Sequence, residues 1–198
     1  MTALLSSRIS RCLALLSCWL LCGPSVYAAD SDNPVAGEYE VKAVFLYNFT
    51  RFVEWPSTAF TSSNAPLVIA VLGNDPFGEI LDKAVRNEVI RNHPLVVKRF
   101  RSGDPVPDCQ MLFICRSDKD RLGEILEKLQ HRPVLTVADF SRAAERGAMI
   151  NLVVKDSVKM EINQAAVAGA GLEISSKLLN IAREVNPDHT PSAAATTP

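Results

Sequence analysis

The strongest hydrophobic pattern in the chain lies in residues 39–56, where six aromatic side chains fall within eighteen positions. Apolar residues recur there at the three- and four-residue spacing of one helix face. This stripe comprises Val41, Phe45, Phe49 and Phe52. The pattern predicts a helix over residues 38–53, which ends there because Pro56 disfavours a helical residue before it. We expect the stripe to pack in the core, and contact with a partner protein is a compatible second role.

Apolar runs and amphipathic stretches alternate through the middle of the chain. Residues 67–72 are apolar throughout, as in a strand that is covered on both faces. Further strands are predicted at residues 95–99, 111–114, 134–137, 149–154 and 158–162, the last two forming a hairpin. We therefore expect an α/β fold with one domain at residues 38–185. Its sheet should be mostly parallel, flanked by helices, and extended by a C-terminal antiparallel hairpin.

Helices are predicted between and after these strands. Asp75 has the character of an N-cap, with Pro76 at the first helical position. The apolar face of that helix comprises Ile80, Leu81, Ala84, Val85 and Val89. Further helices are predicted at residues 119–129, 140–146 and 164–185, the last one interrupted near residues 169–171.

Residues 1–28 have the pattern of a secretory signal peptide, with cleavage expected at their end. Arg8 and Arg11 form a basic start, and residues 12–22 form a short apolar run. Lipoprotein processing at Cys18 is the less favoured alternative. We therefore expect an exported protein.

Composition narrows the range of partners. Removal of residues 1–28 takes the formal net charge from −1 to −3, because the segment carries two arginines and no acidic residue. This charge gives no electrostatic footprint for nucleic acid, and no basic patch is dense enough for anionic lipid. Residues 186–198 are rich in Ala, Thr and Pro, which predicts a disordered tail.

Two cysteines remain after this cleavage, Cys109 and Cys115, and they flank a predicted strand. Six residues of strand cover about 20 Å, whereas the Cα atoms of a disulfide lie about 4.4–6.8 Å apart. We expect two separate thiols, or one thiol in an intermolecular bond.

Residues with catalytic or metal-binding potential form no recognisable site in the sequence. His93 and His131 lie in predicted loops, and neither has a second metal-ligating residue nearby in the sequence. Residues 73–78 follow a strand but lack the Gly-Lys-Ser/Thr sequence that ends a phosphate-binding loop. A phospho-receiver is excluded because the third strand ends in Cys115 instead of aspartate. We expect no catalytic residue, no metal and no cofactor.

Four blocks resemble, in order, the YfiR family of exported bacterial proteins. They are YEVKAVFLYNFTRFVEWP at residues 39–56, VLGNDPFG at 71–78, EIN at 161–163 and GLEISSKLL at 171–179. The resemblance implies a periplasmic, non-catalytic α/β repressor. It would bind the periplasmic portion of an inner-membrane diguanylate cyclase (YfiN-like) and so lower cyclic di-GMP and biofilm formation. The resemblance also implies that the protein can form a homodimer. The second cysteine pair that supports its redox-linked disulfides is missing here.

The expected contact residues for such a partner are Phe45, Arg51, Trp55 and Glu161. Tryptophan and arginine are enriched at interface hot spots, and Glu161 should face away from Met160 and Ile162 because side chains alternate along a strand. The alternative function is a periplasmic small-molecule sensor without a cyclase partner. Its ligand would lie at residues 73–78 or in an aromatic pocket near Trp55. A third hypothesis, an enzyme, would need an acid–base pair that no pattern nominates.

Overall fold

The computed structural model describes residues 34–154 and 158–185. The predicted signal peptide, the C-terminal tail and the turn of the predicted hairpin lie outside these residues. The helices are α1 (Pro34–Phe52), α2 (Glu79–Val85), α3 (Leu122–Lys128), α4 (Gln164–Gly169) and α5 (Ser176–Leu179). The strands are β1 (Val53–Glu54), β2 (Leu67–Leu72), β3 (Val89–Ile90), β4 (His93–Phe100), β5 (Met111–Ile114), β6 (Leu135–Ala138), β7 (Ile150–Val154), β8 (Val158–Ile162), β9 (Glu173–Ile174) and β10 (Arg183–Glu184).

Eight of these strands form one sheet in the order β10-β8-β7-β6-β5-β2-β4-β3. The strands β4, β2, β5, β6 and β7 run parallel, and β7 and β8 form an antiparallel hairpin. The predicted α/β architecture is therefore confirmed. The hairpin does not form the outermost edge, because β10 pairs in parallel with β8 beyond it.

The sheet is covered on both faces where β2 and β5 run through its centre. All six side chains of β2 and all four of β5 are buried. One face packs against α1 and α2, and the other packs against α3. Each fully buried Leu, Ile, Val or Phe side chain contributes about 1.5–3 kcal/mol, so these two strands anchor the core.

Helix α1 is present, but the predicted core stripe is rotated from the observed one. Val41 is 37 % exposed, Phe45 and Phe52 are half-buried, and of the four predicted residues only Phe49 is buried. The buried residues of α1 are Tyr39, Lys42, Ala43, Leu46, Phe49 and Thr50, and Val53 directly after the helix is also buried. The prediction was right for Phe49, partly right for Phe45 and Phe52, which pack against the core cluster, and wrong for Val41. The stripe is rotated because the buried face of α1 includes a lysine and a threonine, which a hydrophobicity pattern assigns to solvent.

Helix α2 begins three residues later than the predicted first position. Gly78 has a positive φ of 51°, which interrupts the backbone directly before Glu79. Asp75 caps a turn instead, and its Oδ1 accepts a hydrogen bond of 2.8 Å from the Phe77 N–H. Val89 belongs to the edge strand β3 and is 57 % exposed, so it is not part of the apolar face of α2.

One other predicted helix is absent from the described residues, and another is interrupted near residues 169–171, as predicted, but is only partly helical after that point. Residues 140–146 form consecutive turns, since Arg142 has a positive φ of 60° that an α-helix does not tolerate. Residues 164–185 do not form one helix, because α4 ends at Gly169 and Gly171 adopts a positive φ of 68°. The chain then forms β9, which pairs with β1, followed by α5 and β10.

The thiols of Cys109 and Cys115 are free and buried. Cys109 belongs to the apolar cluster on the α3 face of the sheet, and Cys115 belongs to the cluster on the α1 face. As predicted, no disulfide joins Cys109 to Cys115. Burial raises the pKa of Cys109 to about 12, and it also raises the pKa of Cys115.

We expect both thiols to resist alkylation at pH 8 while the protein is folded. Only a thiolate attacks such reagents, and burial suppresses both thiolate formation and access. Mass spectrometry after iodoacetamide treatment should show Cys109 and Cys115 unmodified in buffer and both modified in urea. Rapid modification of either residue in the folded protein would contradict its buried placement.

Candidate functional site

A buried group of charges joins α1 to the ends of β5 and β6. The side chain of Lys42 is fully buried, and its Nζ lies 2.7 Å from Asp139 Oδ2. Lys42 also pairs with Glu38, one turn earlier on α1. Asp139 directly follows β6, so this ion pair fixes the amino-terminal half of α1 to the carboxyl end of a central strand.

Arg116 completes this group from the end of β5. Its Nε donates a hydrogen bond of 3.1 Å to the Asp139 carbonyl oxygen, and its Nη2 lies 3.1 Å from Glu38 Oε1. We call Glu38, Lys42, Arg116 and Asp139 the carboxyl-end cluster. In open α/β sheets ligands bind beyond the carboxyl ends of the strands, so the cluster lies where this fold ordinarily places function.

Tyr39 is bound into the same cluster. Its hydroxyl donates a hydrogen bond of 3.0 Å to Asp139 Oδ2. Burial is the main reason that the pKa of Tyr39 is raised, and the neighbouring Asp139 carboxylate raises it further. The phenol therefore stays protonated and continues to donate throughout the physiological pH range.

A cleft of about 370 Å³ lies at the other end of the sheet, and a larger one of about 600 Å³ adjoins the carboxyl-end cluster. The larger cleft is lined in part by Arg116, Asn151 and Glu161. Glu161 accepts a hydrogen bond of 2.9 Å from Asn151 Nδ2 across the β7–β8 hairpin. Its neighbours Met160 and Ile162 are buried in the core, so the Glu161 side chain faces the cleft, as alternation along the strand predicts. We call this space the carboxyl-end cleft.

Among the described residues that line it, the cleft contains ionisable groups but no catalytic arrangement that the contacts reveal. Arg116 pairs with Glu38 and Asp139, Arg142 pairs with Glu145, and no nucleophile–base hydrogen bond lies among them. Within residues 34–154 and 158–185 no cluster of three or more His, Cys, Asp or Glu side chains could hold a metal ion.

The other three expected contact residues lie on the carboxyl-terminal half of α1 or just beyond it. Phe45 packs beside Phe49, with ring centroids 6.1 Å apart. The guanidinium of Arg51 lies 6.0 Å from the centroid of the Tyr47 ring. Both side chains flank an exposed part of the helix.

Trp55 has a structural contact at the amino end of β5. Its Nε1 donates a hydrogen bond of 2.9 Å to the carbonyl oxygen of Gln110, the residue before β5. Glu161 lies at the cleft beyond the carboxyl end of that strand, which is about 13 Å long at 3.3 Å per residue. The structure therefore separates Trp55 from Glu161, and the four expected residues do not form one patch.

One mostly apolar face of α1 is only partly covered by the rest of the protein. Val44 is 53 % exposed and Val41 is 37 % exposed, while Phe45, Asn48 and Phe52 are half-buried. These five residues recur at the spacing of one helix face, and we call them the α1 outer stripe.

Sequence reasoning missed Val44 and the cluster residues Lys42, Arg116 and Asp139. One feature of the sequence could have indicated the exposed face: the helix carries apolar residues on two sides, whereas packing on the sheet requires them on only one.

The two places proposed for a small ligand are largely filled. In residues 73–78, the Asn74 N–H donates to Ser117 Oγ at 3.0 Å, and the side chains of Ser117 and Asp118 close over Gly73. The cavity beside Trp55 has a volume of about 60 Å³, whereas small-molecule sites typically enclose about 300–1,000 Å³.

The family model for YfiR/HmsC-like proteins matches residues 39–183 of this chain. The chain belongs to the YfiR/HmsC-like family. The resemblance seen in the four sequence blocks is thereby confirmed. The family is one of periplasmic, non-catalytic regulators of diguanylate cyclase signalling. Comparison with curated proteins gave no significant match. In the described part of this YfiR/HmsC-like chain, no helix is both long and apolar enough to cross a membrane.

We expect Lys42→Met to lower the free energy of unfolding of this YfiR/HmsC-like protein by about 3 kcal/mol. Removing one partner of a buried ion pair leaves the other charge in a poorly solvated place, and such losses are about 3–5 kcal/mol. Urea denaturation followed by circular dichroism measures the change.

Lys83→Met is the matched control, because Lys83 pairs with Glu79 at the same i,i+4 spacing on an exposed helix face. Its loss should stay below about 1 kcal/mol. Equal losses for the two variants would show that the Lys42–Asp139 pair does not anchor α1.

Proposed function

We propose that this chain is an exported regulator without enzymatic activity. It binds and represses the periplasmic sensor region of an inner-membrane diguanylate cyclase, and so lowers cyclic di-GMP and biofilm formation. Membership of the YfiR/HmsC-like family supports this role. The observation that carries it is the α1 outer stripe, because exposed Val41 and Val44 beside the half-buried Phe45 form an apolar helix surface that suits binding to another protein.

The stripe has the composition of a contact surface. Val41, Val44 and Phe45 supply apolar area, and each square ångström removed from water contributes about 25 cal/mol. Arg51 lies beside the stripe on the solvent side of the helix. An apolar centre with a polar rim is the usual anatomy of protein interfaces.

Repression also requires that the surface be held in one shape. A repressor must bind the inactive form of its target more tightly than the active form. The buried Lys42–Asp139 pair and the packing of Phe49 fix α1 on the sheet. Less conformational entropy is therefore lost on binding than for a mobile helix.

The four expected contact residues take different parts in this proposal. Phe45 and Arg51 contribute directly, since they lie on the outer stripe or at its rim. Trp55 acts mainly by fixing the chain after α1 through its bond to Gln110. Glu161 belongs to a second contact region at the carboxyl-end cleft.

A small-molecule sensor without a cyclase is the alternative function. Two clefts have the size of a ligand site, the carboxyl-end cleft and the smaller cleft of about 370 Å³ at the other end of the sheet. Charged side chains line the carboxyl-end cleft. Its charged groups largely pair with one another, as Arg142 does with Glu145. The exposed stripe on α1 has no role in that alternative, so we favour the regulator.

We expect Val44→Glu to abolish repression while the protein remains folded. A carboxylate at the centre of an apolar interface loses its hydration without gaining a partner. Co-purification with the membrane-bound cyclase should fall at least about tenfold, which corresponds to 1.4 kcal/mol. Cellular cyclic di-GMP should rise toward the level of a deletion strain.

Val89→Glu is the matched control, since Val89 is 57 % exposed on a different element. It should leave repression and co-purification unchanged. Sedimentation of both variants separates cyclase binding from a homodimer formed through the same stripe. Full repression by a folded Val44→Glu protein would exclude the stripe from the contact.

We expect Glu161→Lys to weaken repression through the second contact region. The change reverses the charge at the cleft and replaces the acceptor of the Asn151 hydrogen bond by a donor. Glu161→Gln keeps an acceptor oxygen and should therefore repress the cyclase more strongly than Glu161→Lys does. Cyclic di-GMP levels and thermal melting report on function and folding, respectively. A folded Glu161→Lys protein that represses normally would remove Glu161 from the contact surface.

A further inference from the structure

The outer edge of β4 is covered along only part of its length. Strand β3 pairs with the first two residues of β4, and the Leu95 N–H then donates to the Glu88 carbonyl oxygen at 3.0 Å. Asn87 has a positive φ of 61°, and the chain there leaves the edge. Among the described residues, no strand lies beside the remainder of β4, up to Phe100, on this side.

The direction of the backbone groups along β4 follows from two hydrogen bonds. The Phe100 carbonyl oxygen accepts from the Gly73 N–H at 2.9 Å, so Phe100 faces β2. Leu95 faces β3 on the opposite side. Backbone groups alternate along a strand, so Val97 and Arg99 direct their N–H and C=O groups outward. Within residues 34–154 and 158–185, no hydrogen bond reaches either of these N–H groups.

The side chains along this edge are basic. Lys98 and Arg101 are exposed, and neither forms an ion pair within the part of the chain that the structure describes. Arg99 is engaged by Asp75, with 2.6 Å between Nε and Oδ2, and also by Asp82. These hydrogen bonds turn the Arg99 side chain toward α2 and leave its backbone N–H available.

We propose that the outer edge of β4 binds an extended acidic segment of a partner protein, which adds a ninth strand to the sheet. An unpaired strand edge is a ready template for another chain, and such strand addition uses main-chain hydrogen bonds for affinity. Lys98 and Arg101 select acidic side chains in the added strand. A second copy of this chain is disfavoured, because two β4 edges would bring like charges together.

The proposal is independent of the cyclase and of the α1 outer stripe. A competing explanation is that Lys98 only protects the edge, as charged residues commonly do in natural sheets. The two explanations differ in whether an acidic strand binds.

Amide hydrogen exchange by NMR tests the premise in the free protein. The Val97 and Arg99 amides should exchange much faster than the Val96 and Lys98 amides, which bond to β2. Equal protection of all four would overturn the proposal, because the edge would then already be paired.

The binding test adds a capped peptide of four Thr-Glu repeats to the full chain. At about 90 % occupancy the exchange of the Val97 and Arg99 amides should slow about tenfold, because only the free tenth of the protein exchanges. The same peptide with an N-methyl group at every residue keeps its charge but has no backbone N–H to donate from either edge, so it cannot form a ladder and should give no protection. A peptide of Thr-Lys repeats should also give none.

Two outcomes would overturn strand addition. One is no protection at a peptide concentration of about 2 mM, where even weak millimolar binding would be visible. The other is equal binding of the N-methylated peptide, which would indicate charge attraction alone.

Two variants check the assignment. Val97→Pro removes an outward N–H without removing a bond to β2, and it should abolish protection of Arg99 by the acidic peptide. Lys98→Glu changes only an exposed side chain, and it should weaken binding of the Thr-Glu peptide and allow binding of the Thr-Lys peptide. Unchanged peptide selectivity in Lys98→Glu would contradict the proposed role of the charge.

Discussion

The ion pair between Lys42 and Asp139 sets the position of α1, and the two surfaces of that helix follow from it. With Lys42 fully buried against the end of β6, Phe49 must face the core and Val44 must face solvent. A buried lysine is tolerated only with a partner, and here Asp139 and Glu38 both supply one. The helix has apolar residues on two sides, so either side could pack on the sheet. The ion pair fixes the rotation of the helix about its axis and so determines which side is buried.

The sheet organises the remaining features into two ends. The carboxyl ends of β5 and β6 provide Arg116 and Asp139, and the adjoining hairpin provides Glu161. The amino ends are closed by Trp55 and the loop that follows it. The α1 outer stripe and the edge of β4 thus present different chemistry to partners, apolar side chains in one case and unpaired backbone groups in the other.

Much of the fold was predictable, because local sequence determines it. The central strand at residues 67–72 and the strand at residues 111–114 have the predicted limits, since continuous runs of apolar, mostly β-branched or bulky residues suit a strand covered on both faces. The rotation of α1 was not predictable, because the partner of Lys42 lies 97 residues away. The same holds for residues 164–185, where β9 forms by pairing with distant β1. In the candidate site, alternation placed Glu161, but no local pattern indicated Asp139.

The short ribbon between β1 and β9 has a consequence for the order of folding. Val53 pairs with Ile174, so the end of α1 is fastened by a segment near the other end of the described chain. Closing a loop of that length costs entropy that later contacts must repay. The amino-terminal helix therefore acquires its permanent place late, only after the segments that contain Asp139 and Ile174 have folded against it. Until that moment both apolar faces of α1 are open to water, and the incompletely folded chain is at its most vulnerable to aggregation.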